Sequence, residues 1–484
     1  MRRQGFDKNQ MVPGQPSITP PLIIASASII LTIVWICTLK YGFILPVVLL
    51  AIGFVSWSFS RPLAAISTII LLYLHILERS EDITPVELGF GAYFFGYIAF
   101  WFAKKIAIQR EKVLVSSADM FLIAFLMVCY WSVVLAVANN ASPLNWFREC
   151  LTVSALLLYF PVRDAMKSER DITLVMKVYL LMAGIVAVYN IIHYRAGSLL
   201  ATYVWQLIGS RQPFGSFSFV AITIIALSLY IDVRNAKRRL LLYVGLVFFG
   251  LGLALTFSRG FWIAAIIGFL VVGVLGDSRA RTRMILTGTS LLVVSMVAVF
   301  VIAGDLGKFI IQALLNRLTS SGTPLEDASV AERLAELGTV MSLVKENPLV
   351  GYGFGATFSH YNIIDRFTAE SLFVHNGFLL LLFKVGVAGF LLFFAYYGII
   401  MSYAVKLSKQ GKNSLFGIAV GRGIFAVFVA MLVIALSSAV FIDKSALLII
   451  SLGSAIIVAL VQHTSTGDYL SQFPTSDAGK AKHT

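Results

Sequence analysis

Long uninterrupted apolar runs alternate with short polar breaks along most of the chain. The runs fall at 21–39, 43–60, 62–77, 88–103, 118–138, 146–162, 172–192, 214–231, 239–256, 261–275, 284–303, 385–405, 417–438 and 446–462. They lack the alternation of a half-buried strand and the one-sided stripe of a soluble helix. A helix that satisfies its own backbone while its side chains face hydrocarbon needs runs of this kind. The pattern predicts an all-α polytopic membrane protein of about 12–14 transmembrane helices with one large helical periplasmic loop. A β-barrel would show short alternating segments separated by turns.

One polar interval is much longer than the rest. The reading divides the chain into a cytoplasmic N-terminal tail (1–20), a transmembrane helix bundle (21–303), a periplasmic loop with an amphipathic helix (304–371), a re-entrant segment with the C-terminal transmembrane helices (372–462), and a disordered cytoplasmic tail (463–484). Within the loop, Ser329-Val-Ala-Glu332 reads as a capping box. Val330, Leu334, Leu337, Met341 and Val344 then mark an apolar stripe along one helix face. Asn347-Pro348 ends that helix, and Gly351, Gly353 and Gly355 make a flexible turn, followed by a polar run. The stretch 372–405 is too long for one straight crossing. The reading adopted is a half-inserted helix over about 374–384, broken near Gly386 and Gly389, then one true crossing.

Composition agrees: 58% of residues are hydrophobic, only 13% are charged, and mean hydropathy is +0.87. The net charge of +14 would suggest nucleic acid in a soluble protein, but here the excess sits in short loops and reports orientation. Loops 104–112, 163–170, 234–239, 278–283 and 406–413 are rich in lysine and arginine, whereas 78–87, 139–146 and 304–371 are not. Both termini are therefore expected in the cytoplasm and the long loop outside. The N-terminal 21 residues show no small-residue cleavage site, so no cleavable signal peptide is expected. Cys37, Cys129 and Cys150 lie in or beside apolar runs without a CxxC pattern, as inert core thiols do.

Lys177 and Arg422 lie near the cytoplasmic ends of their runs and read as snorkelling anchors. No Asp or Glu falls mid-run, unlike an ion-coupled transporter. The outer face is different. Arg211 precedes a run in IGSRQPFGSF, Arg259 links two runs in TFSRGFW, Arg333 lies on the loop helix, and His375 opens the half-inserted segment. Each has an ordinary structural reading: a headgroup contact, a tucked link, a solvated helix arginine, a structural hydrogen-bonder. Together they suggest a cationic pocket facing outward, since guanidinium forks match phosphate oxygens. Gly351-Tyr-Gly-Phe-Gly355 is a weak nucleotide motif, with no strand before it and no Lys-Ser/Thr after it.

ENPLVGYGFGATF, followed by FVHNGFLLLLFKVGVAG, resembles the O-antigen ligase and O-antigen polymerase superfamily. That family shows an arginine-headed helix, a glycine turn, and a His-Asn pair opening an apolar segment with spaced glycines. TFSRG and SRQPFGSF resemble its other arginine positions, and motifs cover about residues 200–405. The resemblance implies a membrane glycosyltransferase of the bacterial inner membrane, with its active site at the periplasmic face. The donor would be an undecaprenyl-pyrophosphate-linked glycan and the acceptor a hydroxyl on a glycan or lipid-linked molecule, with no metal, cofactor or nucleic acid. It implies His375 as general base and Arg211, Arg259 and Arg333 as pyrophosphate ligands. Two positions depart from the pattern: Leu337 stands where the family often has an aromatic residue, and Lys384 where it often has an acid. A lipid-linked glycan flippase or other polysaccharide transporter is the alternative, and it would call for pseudo-symmetric halves and charged cavities open to both sides. A structural scaffold, or a wall-building polymerase using a loop acid such as Asp365 or Glu370, are further readings.

Overall fold

A computed structural model describes residues 44–76, 84–198, 214–291, 328–362, 367–409 and 414–465, with a few isolated positions between them. The first expected span (21–39), Cys37, Arg211, the N-terminal tail and the C-terminal tail beyond Ser465 lie outside these residues. The chain divides into two units, Met1–Arg61 and Pro62–Thr484. In the first, the described residues form one apolar helix, α1 (Ile44–Ser60).

Among the described residues, the second unit is helical apart from one hairpin. Its helices are α2 (Pro62–Ile76), α3 (Pro85–Ala103), α4 (Ser117–Trp131), α5 (Val133–Ala138), α6 (Pro143–Val153), α7 (Tyr159–Ala165), α8 (Glu169–Ser198), α9 (Ser216–Asp232), α10 (Ala236–Ala254), α11 (Arg259–Leu275), α12 (Ala328–Glu346), α13 (Gly377–Lys409), α14 (Leu415–Ala435) and α15 (Lys444–Ser465). A further helix runs over 278–291. Among the described residues, six helical stretches are long and apolar enough to cross a membrane, and α9 and α11 are shorter apolar helices.

Helix α8 shows what solvent the fold expects. Its inward face buries Ile172, Val175, Met182 and Val186, while Leu174, Leu181, Ile185, Val188 and Ile192 stand exposed at steps of three, four and seven. A helix apolar on both faces is at home only where the exposed face meets lipid. Helix α15 is the opposite case. Every residue from Ser445 to Leu460 is buried, with α7, α13, α9 and α14 packed around it.

Polar contacts gather the connections into two sets. In one, Lys105 pairs with Asp164 at 2.7 Å, Arg163 donates to the Val113 carbonyl, the His463 ring bonds the Met166 carbonyl, and Ser414 meets Glu169. In the other, Asn139 reaches the Tyr352 carbonyl, Lys384 reaches Glu149, Glu336 reaches His375, and Asn376 reaches the Leu436 carbonyl. The first set joins the basic loops 104–112 and 163–170 through Lys105 and Asp164, and the second joins the base-poor intervals 139–146 and 304–371 through Asn139 and Tyr352.

Two expectations are corrected. The run 146–162 is not one helix: α6 ends at Val153, a 3-10 turn covers Ser154–Leu158, and α7 follows. Pro161 has no N–H for the Leu157 carbonyl and crowds the preceding turn, and the Ser154 hydroxyl bonds back to the Cys150 carbonyl. Arg422 does not snorkel. It is 4% exposed, its Nε donates to Ser228 Oγ, and its Nη2 donates to the Ser228 carbonyl and to Asp232 Oδ2 at 2.8 Å. Arg422 thereby pins α14 to α9, because an arginine this deep needs fixed acceptors. Lys177 is exposed, as an anchor should be.

Removing one partner of a mostly buried pair costs roughly 3 kcal/mol, on the order of 3 °C in melting temperature for a chain of this length. Arg422→Leu should lower the melting temperature of the detergent-solubilised protein by that amount. Adding Asp232→Asn should lower it little further. An unchanged melting temperature for Arg422→Leu would mean that the guanidinium sits in the headgroup layer instead.

Candidate functional site

The site is built on a broken helix. Within α13, Gly386 has φ +62° and ψ −172°, a conformation essentially reserved for glycine. A break strands carbonyls on its N-terminal side and N–H groups on its C-terminal side, and apolar surroundings supply no water for them. The segment after α12 satisfies both. Tyr352 N–H donates to the Phe383 carbonyl at 2.8 Å and Gly353 N–H to the Lys384 carbonyl at 2.9 Å. Val387 N–H donates to the Pro348 carbonyl at 2.8 Å and Ala388 N–H to the Leu349 carbonyl at 3.2 Å.

The glycine turn exists for this fit. Gly351, Gly353 and Gly355 have φ of +69°, +87° and +78°, and a Cβ on Gly351 would stand 2.6 Å from the Phe383 carbonyl oxygen. The expected flexible turn is therefore a buried, locked insert, and N–H groups that a phosphate loop would offer are committed to the helix ends. Nearby, Gly355 N–H donates to Glu149 Oε2 at 2.5 Å. Lys384, with no exposed side-chain surface, donates to the same oxygen at 2.9 Å and to the Ala356 carbonyl at 2.7 Å. Lys384, one of the two departures from the family pattern, is thus balanced by an acid from α6.

His375 lies two residues before α13. Its N–H donates to Glu336 Oε1 at 3.0 Å, and its Nδ1 lies 2.8 Å from Glu336 Oε2. Both carboxylate oxygens of one α12 residue therefore hold both the backbone and the ring. The Glu336 side chain is 3% exposed and the imidazole 41% exposed. With Nδ1–H donated to the carboxylate, Nε2 is the basic nitrogen, and it makes no hydrogen bond among the described residues. Phe373 sets its ring edge-on to the imidazole at 5.4 Å.

Helix α12 is turned from its expected orientation. It begins at Ala328, so Ser329 lies within the first turn instead of capping it. Leu334 and Met341, expected on the apolar stripe, are 56% and 45% exposed. The buried face carries Glu336, Val340 and Val344, packed with Phe358, Val374, Leu380 and Phe383. The buried carboxylate belongs to this face because its partner lies beneath it. Glu346 ends the helix, as the Asn347-Pro348 signal predicts. The polar run beyond the turn forms an antiparallel hairpin, β1 (Phe358–Asn362) on β2 (Phe367–Ser371), with Phe358 opposite Ser371. Tyr352, whose hydroxyl donates to Glu346, has its phenol raised above its usual value by burial and by that carboxylate.

Arg333 lies on α12 one turn before Glu336. Arg259 is the first residue of α11. It follows a turn in which buried Phe257 takes φ +49°, costly for an aromatic residue and held by ring contact with Tyr194. A Cβ on Gly260 would come within 2.8 Å of Ser437 Oγ, and Asn376 reaches the adjacent Leu436 carbonyl. Arg259 and the His375–Asn376 pair thus both border the 436–438 turn. Both arginines are half-buried and have interaction partners. Arg211 lies outside the described residues. Its segment resumes at Phe214, whose carbonyl accepts from Asn190 and whose ring lies under Lys444.

Sequence reasoning missed Glu336 and Glu149. The one local signal for Glu336 was its four-residue spacing to Val340 and Val344; Glu149 had none. A cavity of about 810 Å³ opens beside the site, between α3, α6, the end of β2 and the start of α15. Phe373 lines it, whereas His375 does not.

Residues 244–394 match the O-antigen ligase family model. An O-antigen ligase of Salmonella typhimurium is 30% identical over 184 residues, which cover 36% of this chain. The matched part spans 42% of that relative's length.

Gly386→Ala should destabilise the protein by at least the 1–3 kcal/mol of such backbone strain, because its Cβ would run into the Leu349 carbonyl. Gly338→Ala, where a Cβ meets open space on α12, should be neutral or stabilising by up to about 1 kcal/mol. Melting curves of the two purified variants test the interlock. Equal curves would show that the insert does not hold the break.

Proposed function

We propose that this chain, which over residues 244–394 is similar to the O-antigen ligase family, is a membrane glycosyltransferase. It moves a glycan from a polyprenyl-pyrophosphate carrier to an acceptor hydroxyl, as ligase or as repeat-unit polymerase. The observation that carries the reading is the His375–Glu336 pair. A carboxylate with almost no exposure holds Nδ1 and leaves Nε2 reachable.

The chemistry fits those groups. A sugar hydroxyl is far too weak an acid to ionise at neutral pH, so attack gains from a positioned base. On this reading His375 Nε2 takes the hydroxyl proton while the oxygen attacks the anomeric carbon from the face opposite the carrier. The carbon–oxygen bond to the pyrophosphate breaks, its electron pair leaves with the carrier, and the anomeric configuration inverts. Arg259 and Arg333, with Arg211, are the proposed ligands of the departing pyrophosphate, stabilising charge as it develops. Glu336 touches no reacting atom on this scheme. It is a positioning residue that fixes the ring and its tautomer.

The re-entrant reading of α13 belongs to the same proposal. Its part before Gly386 is roughly 13 Å long at 1.5 Å per residue, less than half a bilayer, whereas the part after it reaches roughly 34 Å. His375 would then lie at the outer rim, with the termini cytoplasmic and the reaction at the periplasmic face of the inner membrane.

His375→Ala should leave folding and insertion intact and reduce glycan transfer by roughly 10²–10⁴-fold. Glu336→Gln is the sharper test. The amide can still accept from the His375 N–H, but its NH₂ then faces Nδ1 and puts the ring proton on Nε2. Turnover should fall by at least about 10²-fold while the KM for donor stays near wild type. Full turnover in His375→Ala would falsify the base assignment. A Glu336→Gln variant with normal kcat would reduce Glu336 to a structural contact. In the native host, single-repeat products after deletion would mark a polymerase, and loss of all long chains from one carrier would mark a ligase.

A further inference from the structure

We infer that the cavity beside His375 binds the saccharide of the acceptor, an inference that rests on the glycosyltransfer reading above. Its volume of about 810 Å³ lies inside the roughly 300–1,000 Å³ range of small-molecule sites. Its walls combine aromatic faces from Phe95, Phe147 and Phe373 with polar groups from Asn145, Thr152 and Glu370. Sugars are recognised by that mixture, with rings against their C–H faces and amide or carboxylate oxygens at their hydroxyls. The Asn145 amide and the Glu370 carboxylate make no hydrogen bonds among the described residues, so both are available to a ligand.

Charge separates this cavity from a pyrophosphate site. Glu87, Glu149, Glu370 and Asp443 line it against Arg148 and Lys444. Counting Lys384 behind Glu149, acids still outnumber bases. A doubly charged leaving group gains nothing there, whereas a neutral or amino-bearing sugar does. Phe373 is both a wall of this cavity and the ring set against His375. A sugar seated on that wall is one aromatic ring away from the imidazole.

Gly91 lets the assignment be tested. It lines the cavity from α3, and a Cβ built on it meets no atom within 4 Å. Gly91→Phe therefore fills the ligand space without displacing the helix. Three readings are taken on purified protein: melting temperature, its rise on adding undecaprenyl pyrophosphate, and glycan transfer to membranes from cells lacking the protein. The inference expects the first two to match wild type and transfer to fall at least tenfold. Glu370→Gln, a change at an exposed hairpin residue, should require at least fivefold more acceptor membrane for half-maximal transfer. Wild-type transfer in Gly91→Phe overturns the inference. Loss of the undecaprenyl pyrophosphate shift also overturns it, by assigning the space to the donor. Should Gly91→Phe fail to fold, an unchanged acceptor requirement in Glu370→Gln overturns it alone. Failure of the glycosyltransfer reading itself would show differently, as no transfer by the wild-type protein in the same assay.

Discussion

An apolar interior does not forgive an unpaired backbone, and this constraint shapes the site. Gly386 interrupts α13, and each carbonyl and N–H it frees would cost several kcal/mol in hydrocarbon. The insert 347–356 answers with four backbone hydrogen bonds to residues 383–388. Because the insert directly follows α12, docking it also fixes where α12 lies, and α12 carries Glu336. The broken helix in turn begins just after His375. One defect and its repair therefore bring the two halves of the His–Glu pair together from residues 39 positions apart.

Buried charge gives the second layer of order. Lys384–Glu149, Arg422–Asp232 and Arg163–Asp119 each join segments far apart in sequence. Such pairs are poor sources of net stability, because desolvation offsets most of the attraction. They are strong arbiters of register, because a helix slid by one turn would leave a charge in lipid or core. Lys384 and Glu149 act this way where the glycine insert meets α6. Gly355 N–H shares the same carboxylate oxygen, so the turn, the broken helix and α6 are set at one point.

Much of this was legible as pattern, and the illegible part has one cause. Apolar runs gave the membrane class, and Gly386 was visible as a break because the run was too long. These are local signals of period, length or composition. Glu336, Glu149 and Asp232 acquire meaning only from partners 39, 235 and 190 residues away, and no local period encodes a partner. Arg422 was misread for that reason: a lone arginine near a span end looks like an anchor until its acceptors are seen. Leu334 and Met341 were misassigned to the buried stripe of α12, although Leu337 and Val344 do face the core, because a counting rule that seeks apolar residues passes over a buried glutamate. Glu336, Val340 and Val344 share the buried face, but only two of the three look hydrophobic.

Transfer from a charged carrier to a neutral sugar sets two electrostatic demands that a single uniform pocket cannot meet. The leaving pyrophosphate requires fixed cations, and the same cations near the acceptor would favour anions over sugars. On the proposed reading the polar groups divide accordingly. Arg259 starts a helix against the 436–438 turn and Arg333 lies one turn from Glu336, whereas the cavity walls on the far side of Phe373 are richer in acids. Phe373 lies between the cavity and His375, carries no net charge, and meets the imidazole edge-on. On the proposed reading, His375 belongs at this boundary for a chemical reason. Its proton comes from the sugar side, the charge it helps to create departs on the arginine side, and a base buried in either compartment would reach only one of them.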